Sequence, residues 1–178
     1  TAVEAVNDYI LEYEPPEDGQ GSSGLDPLDV SVDIVRTAVY RANQRIVGLN
    51  RERGAPEGRG MGTTVVGMWL PGGLSEAVVF HVGDSRAYRL SDSQLTLLTE
   101  DHTLKQPDLN HVLYRAVGIE PFVRLDHVTE PLRPHDRFLL CSDGVHGTLG
   151  KRRLRDLLLR RSAPEEAARE IVSAALDG

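Results

Sequence analysis

Ala77-Val78-Val79-Phe80-His81-Val82-Gly83-Asp84-Ser85-Arg86-Ala87-Tyr88-Arg89-Leu90 carries one apolar run into a Gly-Asp-Ser break and out into a second short run. Glu76–Val82 and Arg86–Leu90 therefore read as strands whose connection is of hairpin length, which makes them antiparallel. Outward from them, Thr63–Leu70 and Gln94–Thr99 are also β-branched or alternating, set off by Pro71-Gly72-Gly73 and Ser91-Asp92-Ser93. Phe122–Thr129 and Arg137–Cys141 read as two further strands. Toward both ends the apolar period becomes helical. Ala2, Val3, Val6, Ile10 and Leu11 predict a helix over residues 1–13. Val35, Val39, Ala42, Ile46 and Leu49 form the inward stripe of a second, over Asp29–Arg51. Between them, residues 14–28, with Pro15-Pro16, Gly19, Gly21 and Gly24, read as an irregular connection. Arg152–Leu159 and Pro164–Ala175 close the chain as helices, with Ser162 as N-cap and Pro164 in the first turn. Helix pair, strands, helix pair describes an α+β layered domain with helices packed on antiparallel sheet.

A length of 178 residues fits one domain, taken here as 1–178. With 20 Lys and Arg against 27 Asp and Glu, the net charge of −7 supplies no bulk positive field, so a nucleic-acid partner is not expected. The first thirty residues hold eight acids and no base, read as a solvated acidic face. The one cysteine, Cys141, excludes an internal disulfide and a thiolate zinc cluster. Apolar runs are of strand length and no secretory leader is visible, so no membrane association and a cytoplasmic setting are expected, with the protein a monomer. The chain begins at Thr1 inside a helical pattern and stops at Asp177-Gly178 where a helix is ending. It is expected to be a piece of a longer protein, with N-terminal strands and a C-terminal strand outside it.

Two places share one design. The run Ala77–Val82 delivers Asp84 beside Gly83, and Phe138-Leu139-Leu140-Cys141 delivers Asp143 beside Gly144. A carboxylate at the rim of a buried strand is costly unless hydrogen-bonded or paired with a cation. One reading is a pair of turn aspartates capping their own backbone. The other is a hard-metal site, because isolated carboxylates without clustered His or Cys suit magnesium or manganese. Cys141 lies within a buried strand and lacks a following arginine-bearing phosphate loop, which disfavours it as a nucleophile. His81, His111 and His127 read as core or surface histidines.

Gly60-Met61-Gly62-Thr63-Thr64, His81–Tyr88, Leu98-Thr99-Glu100-Asp101-His102-Thr103, Arg115-Ala116-Val117-Gly118 and Leu139–Val145 follow one another in that order. Together they resemble successive motifs of the metal-dependent PP2C-type (PPM) serine/threonine phosphatases in their bacterial form. The resemblance covers essentially the whole chain. It implies a four-layer α-β-β-α sandwich, two antiparallel sheets flanked by helix pairs, with a dinuclear Mn²⁺ or Mg²⁺ centre at one end. By the same resemblance, Asp143 matches the aspartate of the metal-bridging region in a Ser-Asp-Gly motif. Asp84 matches the Gly-Asp-Ser-Arg aspartate associated with a third, weaker ion, and Arg86 and Arg115 match structural positions. The implied activity is hydrolysis of phosphoserine and phosphothreonine by a metal-activated water, opposing a bacterial Ser/Thr kinase and acting on its targets.

Departures from the family pattern stand beside these matches. The early Arg…Asn-Glu-Asp segment, the Asp-Gly-Met-Gly-Gly-His-like segment and the late Asp-Asn motif are absent from the sequence, and are expected before Thr1 and after Gly178. Thr103–Asn110 is shorter than the usual flap, and His135-Asp136 stands where Gly-Asp is common. Two carboxylates alone are too few to hold a dinuclear centre, so residues 1–178 by themselves are expected to be inactive. The alternative function is a pseudophosphatase, a binding module built on the same fold.

Overall fold

Helix α2, Pro27–Glu52, is the longest element, and its start follows from local chemistry. Asp26 accepts the Leu28 N–H at 2.9 Å as N-cap, and Pro27 sits in the first turn. The structure, a computed structural model, describes residues 1–12, 26–56, 58–106, 108–109, 112–160 and 162–178. The expected connection over 14–28 and His111 thus fall largely or wholly outside the described residues. Val35, Val39 and Ala42 are buried as the stripe requires, but Leu49 is exposed and Asn43, Val47 and Asn50 turn inward instead. Those asparagines have loop work to do: Asn50 Nδ2 donates to the Met61 and Gly118 carbonyls, and Asn43 Oδ1 accepts the Gly118 N–H. α1, Ala2–Glu12, packs along α2 through Val6, Tyr9 and Ile10, with the Arg41 guanidinium 4.3 Å above the Tyr9 ring.

Against this pair lies a sheet of β1 (Val65–Trp69), β2 (Glu76–Val82) and β5 (Asp126–Pro131), ordered β1-β2-β5. A second sheet, β4-β3-β6, is built from β4 (Gln94–Leu97), β3 (Arg86–Ser91) and β6 (Arg137–Cys141). All pairings are antiparallel. Val78, Phe80 and Val82 of β2 join α2 in one core; Tyr88, Leu90 and Leu95 join α3 (Asp143–Leu158) and α4 (Pro164–Leu176) in the other. The expected α+β four-layer sandwich is the observed architecture. β2 is buried on both faces from Ala77 to Val82, which explains its apolar run Ala77-Val78-Val79-Phe80. Gly67 faces Phe80 across the β1–β2 pair, where an added Cβ would lie 2.2 Å from the ring.

Most ends shift by one or two residues, as at Val65–Trp69 and Gln94–Leu97, and three features differ in kind from the sequence reading. The strand expected at Phe122–Thr129 runs over Asp126–Pro131, because Asn43 and Gln44 hold the Glu120 and Pro121 carbonyls on α2. The chain reaches β2 only at Asp126, and Phe122 is left 77% exposed. The helix expected at Arg152 starts at Asp143, where Ser142 O accepts the Val145 and His146 N–H groups. Gly150, at φ +67°, divides it, so the predicted helix is its second half. Ser162 is not the N-cap of α4; Ala163 is, and no side chain caps it. The Ser162 carbonyl instead receives Arg137 Nη2 at 2.9 Å.

His135 has φ +71°, the left-handed region that favours glycine. That accounts for the family's common glycine there, and histidine carries a steric penalty of about 1–2 kcal/mol. Net of glycine's larger unfolded-state entropy, His135→Gly should raise stability by up to about 1 kcal/mol, read as a higher denaturant midpoint at unchanged slope. A lower midpoint would contradict this.

Candidate functional site

Strands β2, β3 and β6 converge at one end of the two sheets. Arg86 pairs with Cys141 at the last rung of β3–β6, so Asp84 lies two residues before that rung and Asp143 two after it. The structure thus brings the two predicted carboxylates to the same end of the fold. His146, one helical turn beyond Asp143, donates Nε2–H to the Asp84 carbonyl at 3.0 Å and ties the β2–β3 loop to α3. Asp143 is exposed in the first turn of α3, where Oδ1 accepts the Gly144 N–H at 2.8 Å. The helix dipole there favours its negative charge. Asp84 is partly buried.

The loop carrying Asp84 is tightly held. Gly83 has φ +106°, and a Cβ there would lie 2.4 Å from Thr64 Cγ2. Thr64 Oγ1 and Ser85 Oγ share a hydrogen bond of 2.8 Å, and Thr99 Oγ1 accepts the Ala87 N–H. Arg86 grips Asp101 with two bonds, Nε to Oδ1 at 2.8 Å and Nη2 to Oδ2 at 2.7 Å. That bond to Asp101 raises the Arg86 pKa, against the opposing effect of burial. Arg86 is thus held by a two-bond ion pair between β3 and the segment that follows β4. A cleft of about 480 Å³ opens beside Thr64, but neither aspartate lines it.

A second group was not legible as a site. His81, His102 and Asp126 bring ligand-type atoms within 4.8 Å of one another. The β2–β5 register sets His81 directly opposite Asp126, and the His81 and His102 rings stack at 4.6 Å. Arg115 Nη1 lies 2.9 Å from both Asp126 Oδ1 and His102 Nε2. Its guanidinium already holds the place a cation would take, so this group is an internal ion cluster. Burial and the neighbouring His102 lower the His81 pKa, which keeps that ring neutral. Burial would raise the Asp126 carboxyl, but the hydrogen bond from His102 and the charge of Arg115 outweigh it and hold it below its ordinary value. Residues 81, 102, 115 and 126 come from four separate segments, and no spacing in the sequence announces their meeting.

The remaining sequence expectations fall into place. His81 is a core histidine at 4% exposure and His127 is exposed. Cys141 is buried, and burial pushes its thiol up to about 11, far from a reactive thiolate. No helix among the described residues is long and apolar enough to cross a membrane.

As a donor set, Asp84 and Asp143 offer hard carboxylate oxygens at the same end of the two sheets, one partly buried and one exposed, which fits Mn²⁺ or Mg²⁺ in kind. Comparison with known proteins agrees with the fold. The serine/threonine phosphatase stp of Listeria welshimeri is 37% identical over 124 residues, 61% of this chain and 48% of that protein. PstP of Mycobacterium tuberculosis is 30% identical over 182 residues, 91% of this chain and 32% of that protein. The chain spans about half the length of the Listeria relatives it matches. Among solved structures, PppA, a regulatory component of the type VI secretion system of Pseudomonas aeruginosa, superposes with TM-score 0.77 at 28% identity, covering 99% of this chain and 73% of that one. The PstP catalytic domain in complex with two manganese ions superposes with TM-score 0.76 at 26% identity, over 99% and 74%. The profile described as protein phosphatase 2C matches residues 1–177, essentially the whole chain, and on that match the chain belongs to the protein phosphatase 2C family.

Proposed function

We propose that this chain is the greater part of a metal-dependent phosphatase domain that removes phosphate from phosphoserine and phosphothreonine in proteins. The observation that carries the reading is the placement of Asp84 and Asp143 at one end of the sandwich, with the His146 bond to the Asp84 carbonyl tying the Asp84 loop to the helix that Asp143 begins. Asp143, open to solvent, would hold a tightly bound Mn²⁺ or Mg²⁺, and Asp84 a looser one. Such ions, when bound, supply an activated water and electrostatic stabilisation of the phosphoryl group. The chain's own contribution is positional: α3 presents Asp143 at its N-terminus, and the clamped β2–β3 loop presents Asp84. The substrates are phosphorylated proteins, including the targets of a Ser/Thr kinase. The lone buried Cys141 suits a reducing cytoplasm.

Asp84→Ala in the full-length protein tests the reading. Turnover of a small aryl phosphate per folded molecule should fall about 10- to 100-fold while the tight Mn²⁺ affinity and the melting temperature hold. A loss of activity wholly accounted for by unfolding would make Asp84 a turn residue. A protein that binds no Mn²⁺ would favour the binding-module reading.

A further inference from the structure

We propose that His102 is a positioning residue for the Asp84 loop, and that Asp126 and Arg115 set its orientation. The inference rests on reading Asp84 as a metal ligand. His102, at 1% exposure, binds both backbone groups of Gly83: its own N–H donates to the Gly83 carbonyl at 3.0 Å, and its Nδ1 accepts the Gly83 N–H at 3.0 Å. Gly83 immediately precedes Asp84, and its φ of +106° belongs to a residue with wide backbone freedom. Two bonds from one residue remove that freedom at the point where it would most disturb the carboxylate.

The relay behind the clamp follows from proton placement. Because Nδ1 accepts, the proton of the neutral ring sits on Nε2. It is donated to Asp126 Oδ2 at 3.1 Å, while Arg115 Nη1 donates to Asp126 Oδ1 at 2.9 Å. In this tautomer the 2.9 Å approach of Arg115 Nη1 to Nε2 is a contact between two donors, bridged electrostatically by the carboxylate they share. Stacking on His81 and the tilted Tyr114 ring, 5.6 Å away, confine the imidazole from its faces. Partners of this kind behind a ligand commonly change metal affinity 10- to 100-fold.

The amide isosteres separate the two ends of the ring. Asn at 102 can place an acceptor where Nδ1 stands and keep the Gly83 bond, whereas Gln reaches toward Asp126 and leaves Gly83 N–H without its acceptor. In the full-length protein, the Gly83 amide should exchange with solvent at least about tenfold faster in His102→Gln than in His102→Asn. The Asp84-dependent Mn²⁺ affinity, read by calorimetry with the metal alone, should weaken about tenfold or more in His102→Gln and stay within about twofold in His102→Asn. Asp126→Ala, at a partly exposed position, reads the relay from its far end if His102→Gln does not fold, and should also speed Gly83 exchange about tenfold. Equal Gly83 exchange in the two His102 variants, or no change in Asp126→Ala, would overturn the clamp. Faster exchange with unchanged Mn²⁺ affinity would overturn its link to the metal. If Asp84→Ala itself leaves the looser Mn²⁺ binding unchanged, the fault lies in the ligand reading, and the exchange data show that separately.

Discussion

Asp143→Asn should abolish Mn²⁺-dependent turnover in the full-length protein, by at least about 100-fold, beyond what loss of a supporting partner costs. The side chain is exposed, and its one described hydrogen bond is to the Gly144 N–H, which asparagine can also satisfy. The substitution removes a charge from the α3 N-terminus, worth about 0.3–1 kcal/mol at an exposed position, so the fold should persist. Activity should therefore be lost without a matching loss of stability, and calorimetric Mn²⁺ affinity should fall with it. Turnover and metal affinity at the wild-type level would remove Asp143 from the site.

The largest loss of stability is expected from Arg89→Leu. Arg89 of β3 lies between the sheets, with Nη1 2.7 Å from Glu130 Oε2 on β5 and Nε 2.8 Å from Asp136 Oδ2 in the turn before β6. Its Nη2 lies 2.6 Å from the same Asp136 oxygen but is not aligned as a hydrogen bond, so Nε carries the directional contact. The Asp136 side chain is only 5% exposed. Removing the guanidinium would strand two carboxylates in a poorly solvated layer, at a cost of about 3–5 kcal/mol. Burial alone would raise the Asp136 carboxyl, but its hydrogen bonds from Ser91 and Arg89 hold it below 3.8. With a depressed folded-state pKa, its contribution is present above about pH 4 and is lost as pH falls through the folded value. Denaturant unfolding should show the wild type losing stability below pH 4 and Arg89→Leu losing far less there. A loss under 1 kcal/mol at pH 7 would show the network to be replaceable.

How much was legible depended on range. Glu76–Val82 was readable to the residue because a strand buried on both faces needs an apolar centre, and Arg137–Cys141 from its apolar run Phe138-Leu139-Leu140-Cys141, although the fold leaves Leu140 exposed. The start of α3 was not, since Gly144, Gly147 and Gly150 mask the helical period that runs on from Ser142. Phe122–Thr129 has the composition of a strand, yet asparagine and glutamine contacts from α2 delay pairing to Asp126. For the site, Asp84 and Asp143 stood out because each follows an apolar run and adjoins glycine. His102, Arg115 and Asp126 did not, although two of them sit in motifs the sequence displays.

Local period and punctuation by themselves determined the α+β class, the antiparallel strands, the helix pair at each end and the two candidate carboxylates. These rest on which face a residue must bury and which residues permit a turn, and both act over a few neighbours. Tertiary structure alone decided that His102 grips Gly83, that Arg115 fills the place of a cation beside Asp126, and that Arg89 spans the two sheets. The partner of a buried polar group is set by strand register and by the stacking of one sheet on another. Until those are formed, no spacing along the chain distinguishes a histidine that fills the core from one that holds a loop in place.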